Sequence, residues 1–481
     1  MAKTIYAGID AGTTVIKGQV IDNSGEILKA YSVNAVESYS PQPGFNEIDP
    51  EAYYGAFLKL FETLFRGLSG YEVYLGISAM APVLIPVGKD KKPLVNGILY
   101  NDTRAWKEIE ELKEACGDLI FKINGNPVNQ QQWLPKIIWL KKNMPEKIKA
   151  SWKLMDLSSY IIWKLSGETV VDKTVALEEG LVDYRTRNIS KEILNAVELS
   201  EDLLPDVYET QEEAVKFNKE NIYHVNAGTV DAIASAVSFG LLREGMIGVI
   251  LGTTGIIFYS TSSPVLSEKL YLDLSPKVGI YYVNGSTASA GSFLDFTLEL
   301  LGLDKNYSEM ENMLKRSKPG SGGVVSLPYI AGERTPIFDP KARSVFFGIS
   351  SSTTRDDIVR SSVEAVAFSI RHNLEEIEKL GYRANTILLT GGMTRSEEIV
   401  KVLTSVLNRE VFVKRSSEPE GDILIAKVMS GNYSWNNLKM EGMPTVKFAP
   451  DKESFAIYEM NFKKYLQLYE KLKDMFYPVF P

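Results

Sequence analysis

The chain has 481 residues, too many for one hydrophobic core, so two or three domains are expected. Hydrophobic residues make up 44% and charged residues 24%, the balance of an ordinary globular protein rather than a disordered or membrane-embedded one. Lys and Arg number 53 against 61 Asp and Glu, and a net charge of −8 lacks the basic stripe of a nucleic-acid binder. Any polyanion it holds must be held locally, by backbone amides, a few cations and a metal ion.

The N-terminus reads as a meander of strands. Ala7–Asp10 runs into Gly12-Thr13-Thr14, Ile16–Ile21 follows, then the turn Asp22-Asn23-Ser24-Gly25, then Glu26–Val33. Pro50 opens a helix whose Tyr54, Phe57, Phe61 and Leu64 share one face. Gly67–Gly70 ends it, and Val73–Ser78 is the next strand. Strands that meander and then alternate with helices point to a mixed α/β sheet. The single cysteine, Cys116, cannot form an internal disulfide, reads as a small residue on a partly buried helix, and fits a reducing compartment. No signal segment precedes the first strand and no apolar run approaches the ~20 residues of a membrane span, so no membrane partner and a cytoplasmic location are expected.

The second half repeats this grammar. Val249–Leu251 runs into Gly252-Thr253-Thr254-Gly255 and continues through Ile256–Tyr259. Gly279–Val283 reads as a strand and Ser292–Leu301 as a helix. A long helix begins near Thr354, with Ile358, Ser362, Val366, Ile370 and Ile377 along one stripe and Thr354 and Asp357 at capping-box spacing. Ala384–Thr390 is a strand, Gly391-Gly392 a turn, Ser396–Leu407 a helix capped by Ser396, and Glu410–Lys414 a further strand. Phe455, Tyr458, Phe462, Tyr465, Tyr469, Leu472 and Met475 lie at helical spacing in the last stretch, an aromatic stripe expected to pack as core. Two Gly-Thr-Thr units imply an ancient duplication with lobes at 1–240 and 241–481.

Three constellations could carry chemistry. A strand that stops at Gly-Thr-Thr and turns straight back presents backbone N–H groups and hydroxyls at its tip, a setting suited to phosphate oxygens. The first copy adds Asp10, a carboxylate that can hold Mg²⁺ directly or through water, and Lys17. In Asn226-Ala227-Gly228-Thr229-Val230-Asp231, Asp231 falls in a first helical turn, where it is either a charge that suits the helix dipole or a general base near a sugar hydroxyl. In Thr390-Gly391-Gly392-Met393, the glycines either admit a flat ring such as adenine against the backbone or form an ordinary strand–turn–helix junction.

The order of these pieces resembles the actin-like ATPase superfamily of sugar kinases, Hsp70 and actin. Gly44-Phe45-Asn46-Glu47-Ile48-Asp49-Pro50, Asn101-Asp102-Thr103-Arg104, Pro135-Lys136 and, most specifically, Pro328-Tyr329-Ile330-Ala331-Gly332-Glu333-Arg334-Thr335-Pro336 are similar to segments of the FGGY carbohydrate kinases. That resemblance implies two ribonuclease-H-like (actin-like ATPase) α/β domains flanking a nucleotide cleft, with ATP between them and the sugar against the first lobe. It implies Asp231 as catalytic base, and Asp10 with Asp231 as holders of Mg²⁺. Gly12, Thr13, Thr14, Lys17, Gly252, Thr253 and Thr254 would surround the phosphates, and Gly391, Gly392 and Met393 would border the adenosine. Ala79, Met80, Asp102, Arg104 and Asp231 would line the sugar pocket, while Glu333 and Arg334 brace the second lobe.

The chain departs from the family in two places. Pentulose kinases carry Ser-Gly-Gln-Met-His where this chain reads Ser78-Ala79-Met80-Ala81-Pro82, losing an amide and an imidazole that could bond sugar hydroxyls. The glycerol kinase Arg-Glu pair is absent as well. Glu420-Gly421-Asp422-Ile423-Leu424-Ile425-Ala426 stands where the family has Gly-Ala-Ala beside the nucleotide, which implies an altered nucleotide preference. The expected function is ATP-dependent phosphorylation of a ketose, xylulose-type, by a monomer or homodimer. A kinase of a sugar acid or polyol is the near alternative, and a non-catalytic regulator or filament protein on the same scaffold the distant one.

Overall fold

The computed structural model describes residues 3–384, 386–414, 419–438 and 445–476. The chain falls into two compact units, one of Met1–Leu242, Asp273–Tyr281 and Ser417–Glu441, the other of Arg243–Leu272, Tyr282–Ser416 and Gly442–Pro481.

The first unit is built on β1 (Lys3–Ala11), β2 (Val15–Asp22), β3 (Ile27–Asn34), β4 (Tyr71–Ala79), β5 (Val215–Asn218) and β6 (Ile222–Val225), ordered β5-β6-β4-β1-β2-β3. β1 pairs antiparallel with β2 around Gly12-Thr13-Thr14 and parallel with β4 on its other side. Alternation along the strands sorts the two faces. Ile5, Ala7 and Ile9 of β1 and Val73, Leu75 and Ile77 of β4 are buried with Phe57, Leu60, Phe61 and Leu64 of α1 (Pro50–Phe65). Asp49 caps α1, accepting from the N–H groups of Glu51 and Ala52 at 2.9 and 3.1 Å. Cys116 is half-buried in α2 (Trp106–Asn124), where a φ of −151° interrupts the helix. α3 (Trp133–Asn143), α4 (Leu157–Ser166) and α5 (Asp231–Ser238) complete the unit's main helices up to residue 242.

The second unit repeats the plan. Its sheet comprises β7 (Ile247–Leu251), β8 (Gly255–Thr261), β9 (Tyr271–Leu274), β10 (Tyr281–Ser286), β11 (Thr386–Thr390), β12 (Glu410–Lys414) and β13 (Thr445–Phe448), ordered β9-β10-β8-β7-β11-β12-β13. β7 pairs antiparallel with β8 around the second Gly-Thr-Thr and parallel with β11, as β1 does with β2 and β4. α6 (Gly291–Leu300), α7 (Arg355–Lys379) and α8 (Glu397–Leu407) follow the expected positions. Both hydrogen bonds of the Thr354–Asp357 capping box are present. Ser396 caps α8, its Oγ accepting from the N–H of Ile399 at 3.2 Å. The strand expected at 279–283 lies at Tyr281–Ser286, and of the strand expected at 384–390, Asn385 lies outside the described residues.

The chain then returns to the first unit. α9 (Glu420–Met429) lies on the β1–β4 face that carries Tyr6, Gly8 and Asp10 beside Tyr74, Gly76 and Ser78. A Cβ on Gly76 would stand 2.1 Å from the Asp422 carbonyl oxygen, one on Gly8 2.4 Å from that of Pro419, and one on Gly421 1.9 Å from that of Ala234 in α5. Only glycines permit this approach, and Ile423 and Ala426 fill the space beside Tyr6 and Ile21. Residues 419–438 thus group with the first unit although they follow residue 241. The last helix, α10 (Lys452–Leu472), buries Tyr458, Phe462, Tyr465 and Leu468, with Tyr329 Oη donating to Tyr465 Oη at 2.7 Å; Met475 leaves the stripe and is 65% exposed. No described helix is long and apolar enough to cross a membrane.

Candidate active site

Asp10 sits at the end of β1, opposite Lys17 across the antiparallel ladder and beside Ser78 in the parallel register with β4. Burial, then the charge of Asp231, push its carboxyl up to about 7 against the pull of Lys17 and of the Ser78 hydroxyl. The turn that follows is anchored from behind. Tyr53, fully buried on α1, donates its hydroxyl to the Gly12 carbonyl at 2.8 Å, and the N–H of Ala35 donates to Thr14 at 2.9 Å. Thr13 and Thr14 are exposed at the tip while Ala11 and Ile16 on either side are buried.

The loop before α5 is fixed just as firmly. Asn226 accepts through its side chain from the N–H of Ile77 at 2.9 Å, and Gly228 at φ +87° passes so close to Ser158 that a Cβ would meet that residue's Cβ at 2.5 Å. The N–H of Ala79 donates to the Thr229 carbonyl at 2.9 Å, and that of Met80 to Ala11 at 3.1 Å. These ties bring the ends of β1 and β4 and the start of α5 together, with Asp10, Ser78, Ala79, Met80 and Asp231 all in the first unit. Asp231 occupies the first position of α5, half-buried, its Oδ1 accepting from the N–H of Ala232 at 2.6 Å. Burial pushes its carboxyl up to about 6. Ala79 and Met80 are both buried and apolar.

Asp102 and Arg104 lie together but spend their polar atoms on each other. Asp102 accepts from the N–H of Asn46 at 2.6 Å and from the backbone N–H, Nε and Nη2 of Arg104 at 3.0, 2.9 and 2.8 Å. Arg104 also pairs with Glu47 at 2.7 Å and lies over the ring of Phe45 at 3.8 Å. Such a closed set has the geometry of a brace tying Gly44–Glu47 to residues 101–104. Beside it Lys136, 1% exposed, donates to the Gln131 carbonyl at 3.0 Å; burial pushes its ammonium down to about 7, against the pull of Asp102.

In the second unit, Gly252, Thr253 and Thr254 close the β7–β8 turn, with Thr253 exposed. The N–H groups of Gly291 and Ala290, at the start of α6, donate to the carbonyls of Gly252 and Thr253 at 3.0 and 2.9 Å. Gly391, at φ +103°, lies against Leu251 so closely that a Cβ would meet its carbonyl oxygen at 2.2 Å. Gly252, Thr253, Thr254, Gly391, Gly392 and Met393 therefore gather at the carboxyl ends of the neighbouring parallel strands β7 and β11, the usual position of ligands in α/β sheets. Glu333 accepts from the N–H of Ala288, and Arg334 Nη2 donates to the Thr287 carbonyl at 2.6 Å, bracing the approach to α6.

Sequence reasoning missed Asp422. The segment that contains it was singled out as a departure from the family, without a role for Asp422 itself; it packs on the first unit's sheet, where Asp422, fully buried, accepts from the Ser78 hydroxyl at 3.0 Å. Burial, then the charge of Asp10, push its carboxyl well above the usual range. The replacement of Gly-Ala-Ala by Gly-Asp-Ile was the one signal in the sequence.

Among the described residues, no group of three or more His, Cys, Asp or Glu could hold a metal ion. Asp10 and Asp231 offer two hard carboxylates, and the charge of Asp231 raises the proton affinity of Asp10 against the pull of Lys17 and of the Ser78 hydroxyl. That donor set fits Mg²⁺, which is held by one or two carboxylates and completes its shell with water and phosphate oxygens.

Models of the N-terminal and C-terminal domains of the FGGY family of carbohydrate kinases match residues 5–235 and 248–423. The chain is 27% identical to a xylulose kinase of Lactococcus lactis over 492 residues, 98% of each chain. It is 25% identical to a gluconokinase of Bacillus subtilis over 434 residues, 85% of this chain and 84% of that one. A crystal structure of xylulose kinase from Rhodospirillum rubrum superposes with a TM-score of 0.87 at 25% identity, covering 98% of this chain and 99% of that one. With two actin-like ATPase-fold domains and both family models matched, the chain belongs to the FGGY carbohydrate kinases, phosphotransferases that use ATP on a small-molecule sugar.

Proposed function

We propose that the protein transfers the γ-phosphoryl group of ATP to a hydroxyl of a xylulose-type ketose, with Asp231 as general base. The observation that carries this reading is the half-buried Asp231 carboxylate at the first position of α5, pushed up to about 6 and held beside Asp10 by the Ala79–Thr229 tie. A carboxylate with that affinity for a proton accepts one from an attacking hydroxyl and is still ionised at neutral pH. Phosphoryl transfer otherwise asks for alignment and charge stabilisation. Asp10 and Asp231 would hold Mg²⁺, which neutralises charge on the transferring phosphoryl oxygens. Gly12, Thr13, Thr14 and Lys17 of the first unit, and Gly252, Thr253 and Thr254 of the second, are proposed as phosphate contacts. Gly391, Gly392 and Met393 are proposed as the adenosine border, and Ala79 and Met80 as one wall of the sugar pocket.

Full-length similarity to xylulose kinases supports the ketose. The gluconokinase relative supports a second reading, a sugar acid or polyol, and Ala79 and Met80 lack the side-chain hydrogen-bonding groups that would single out a pentulose. Substrate-stimulated ADP release measured across xylulose, ribulose, gluconate and glycerol decides between them. Xylulose is expected to give the highest kcat/KM; preference for gluconate or glycerol selects the second reading, and no stimulation by any of them rejects both.

A further inference from the structure

Ser78 has one hydroxyl proton and two carboxylates within reach. Its Oγ lies 3.0 Å from Asp422 Oδ2 and 3.4 Å from Asp10 Oδ1. A hydroxyl donates one hydrogen bond at a time, so the two acids compete for it. Asp422 is the nearer, is fully buried, and accepts the Ser78 proton at Oδ2 while its second oxygen, Oδ1, is buried without a hydrogen-bond partner. Three glycines hold it there. Gly8 and Gly76 let the backbone of α9 lie on β1 and β4, and Gly421 lets it lie on α5, so the backbone that carries Asp422 is pressed directly against the strand that carries Ser78.

We propose that Asp422 is a positioning residue for Asp10: by taking the Ser78 proton it keeps the Oδ1 lone pairs of Asp10 open to a divalent cation. This rests on the reading of Asp10 as a cation ligand. Where the side chain at position 422 ends at Cβ, Ser78 would donate to Asp10 Oδ1 alone and compete with a cation for the electron density of that carboxylate.

The test is Mn²⁺ binding to the full-length protein with ADP, followed by electron paramagnetic resonance, with a melting temperature for each variant. Asp422→Ala is expected to raise the Mn²⁺ dissociation constant about five- to tenfold, the scale of one hydrogen bond. Asp422→Asn, whose amide oxygen still accepts from Ser78, should stay within about twofold of the parent. Ser78→Ala alone should also stay within about twofold, and adding it to Asp422→Ala should restore binding, since no hydroxyl is left to block Asp10. A purely structural role for Asp422 predicts no such rescue, so unrestored binding in the double variant overturns the inference. So does a several-fold loss in Ser78→Ala alone, which stays informative should Asp422→Ala fail to fold. Asp10→Asn separates the two layers: if it weakens Mn²⁺ binding while Asp422→Ala does not, the positioning role falls alone, and if it leaves binding unchanged, the Asp10 assignment falls with it.

Discussion

Ala79 donates its backbone N–H to the carbonyl of Thr229 at 2.9 Å, and this bond couples the end of a central strand to the start of the helix that carries Asp231. It continues the sheet past β4, helped by the side chain of Asn226 on the N–H of Ile77. The position of the proposed base is thereby set by backbone geometry rather than by its own side-chain contacts. Substituting Asp231 should therefore disturb chemistry and little else.

Asp231→Asn is expected to lower kcat by about 10²- to 10⁴-fold, the usual weight of a general base, while nucleotide affinity changes by no more than a few-fold. Coupled measurement of ADP release and calorimetric titration with ATP check the two halves separately. Turnover near that of the parent removes Asp231 from the role.

The same carboxyl sets a pH dependence. Burial pushes Asp231 up to about 6, and the base must be ionised to accept a proton, so kcat/KM should fall about tenfold per pH unit below that value. A rate profile recorded from pH 5 to 8 that stays flat to its acid end contradicts this.

Stability should run the other way. Asp156 and Asp172, fully buried, are pushed up to about 7, chiefly by burial and against the hydrogen bonds they accept. Their folded pKa exceeds the unfolded value of 3.8, so the folded state binds these protons more tightly. The stability they contribute is complete below about pH 4 and is lost as pH rises through about 7, at no more than about 1.4 kcal/mol per unit for each group. Asp156→Asn should flatten the dependence of melting temperature on pH between 5 and 8; a slope equal to that of the parent refutes the assignment.

Gly76→Ala should cost about 1–3 kcal/mol or more, because its Cβ would meet the Asp422 carbonyl oxygen at 2.1 Å and backbone cannot step aside cheaply. Gly55→Ala is the control: no atom lies within 4 Å of the added methyl on α1, and alanine favours a helix by about 0.5–1 kcal/mol. Thermal melts of the two should move in opposite directions.

Much of this was legible in the sequence because it is local. The Gly-Thr-Thr turns, the Thr354–Asp357 capping box and the Ser396 cap are set within a few residues, and each lies where spacing placed it. The stripe of α10 is core at Tyr458, Phe462 and Tyr465, is half-buried at Phe455, Tyr469 and Leu472, and ends at Met475, where the helix tightens into a 3₁₀ turn. Asp102 and Arg104 were legible as a motif near the sugar pocket but not as a closed ion pair; that depends on Glu47, Asn46 and Phe45 arriving from about sixty residues away. The site of α9 was beyond reach for the same reason. Its apolar pattern fits any buried helix, and its address is written in Gly8 and Gly76, more than 340 residues earlier, where the missing side chains say only that something comes close.

The late return of α9 also bears on how the polypeptide is made. A ribosome that has released the first 240 residues has supplied every strand of the N-terminal sheet, yet Gly8 and Gly76 still face water and Tyr6 lacks its cover of Ile423 and Ala426. The N-terminal half therefore matures only after nearly the whole message has been read, and a fragment cut at residue 240 should emerge as a sticky, incompletely closed body rather than an independent domain.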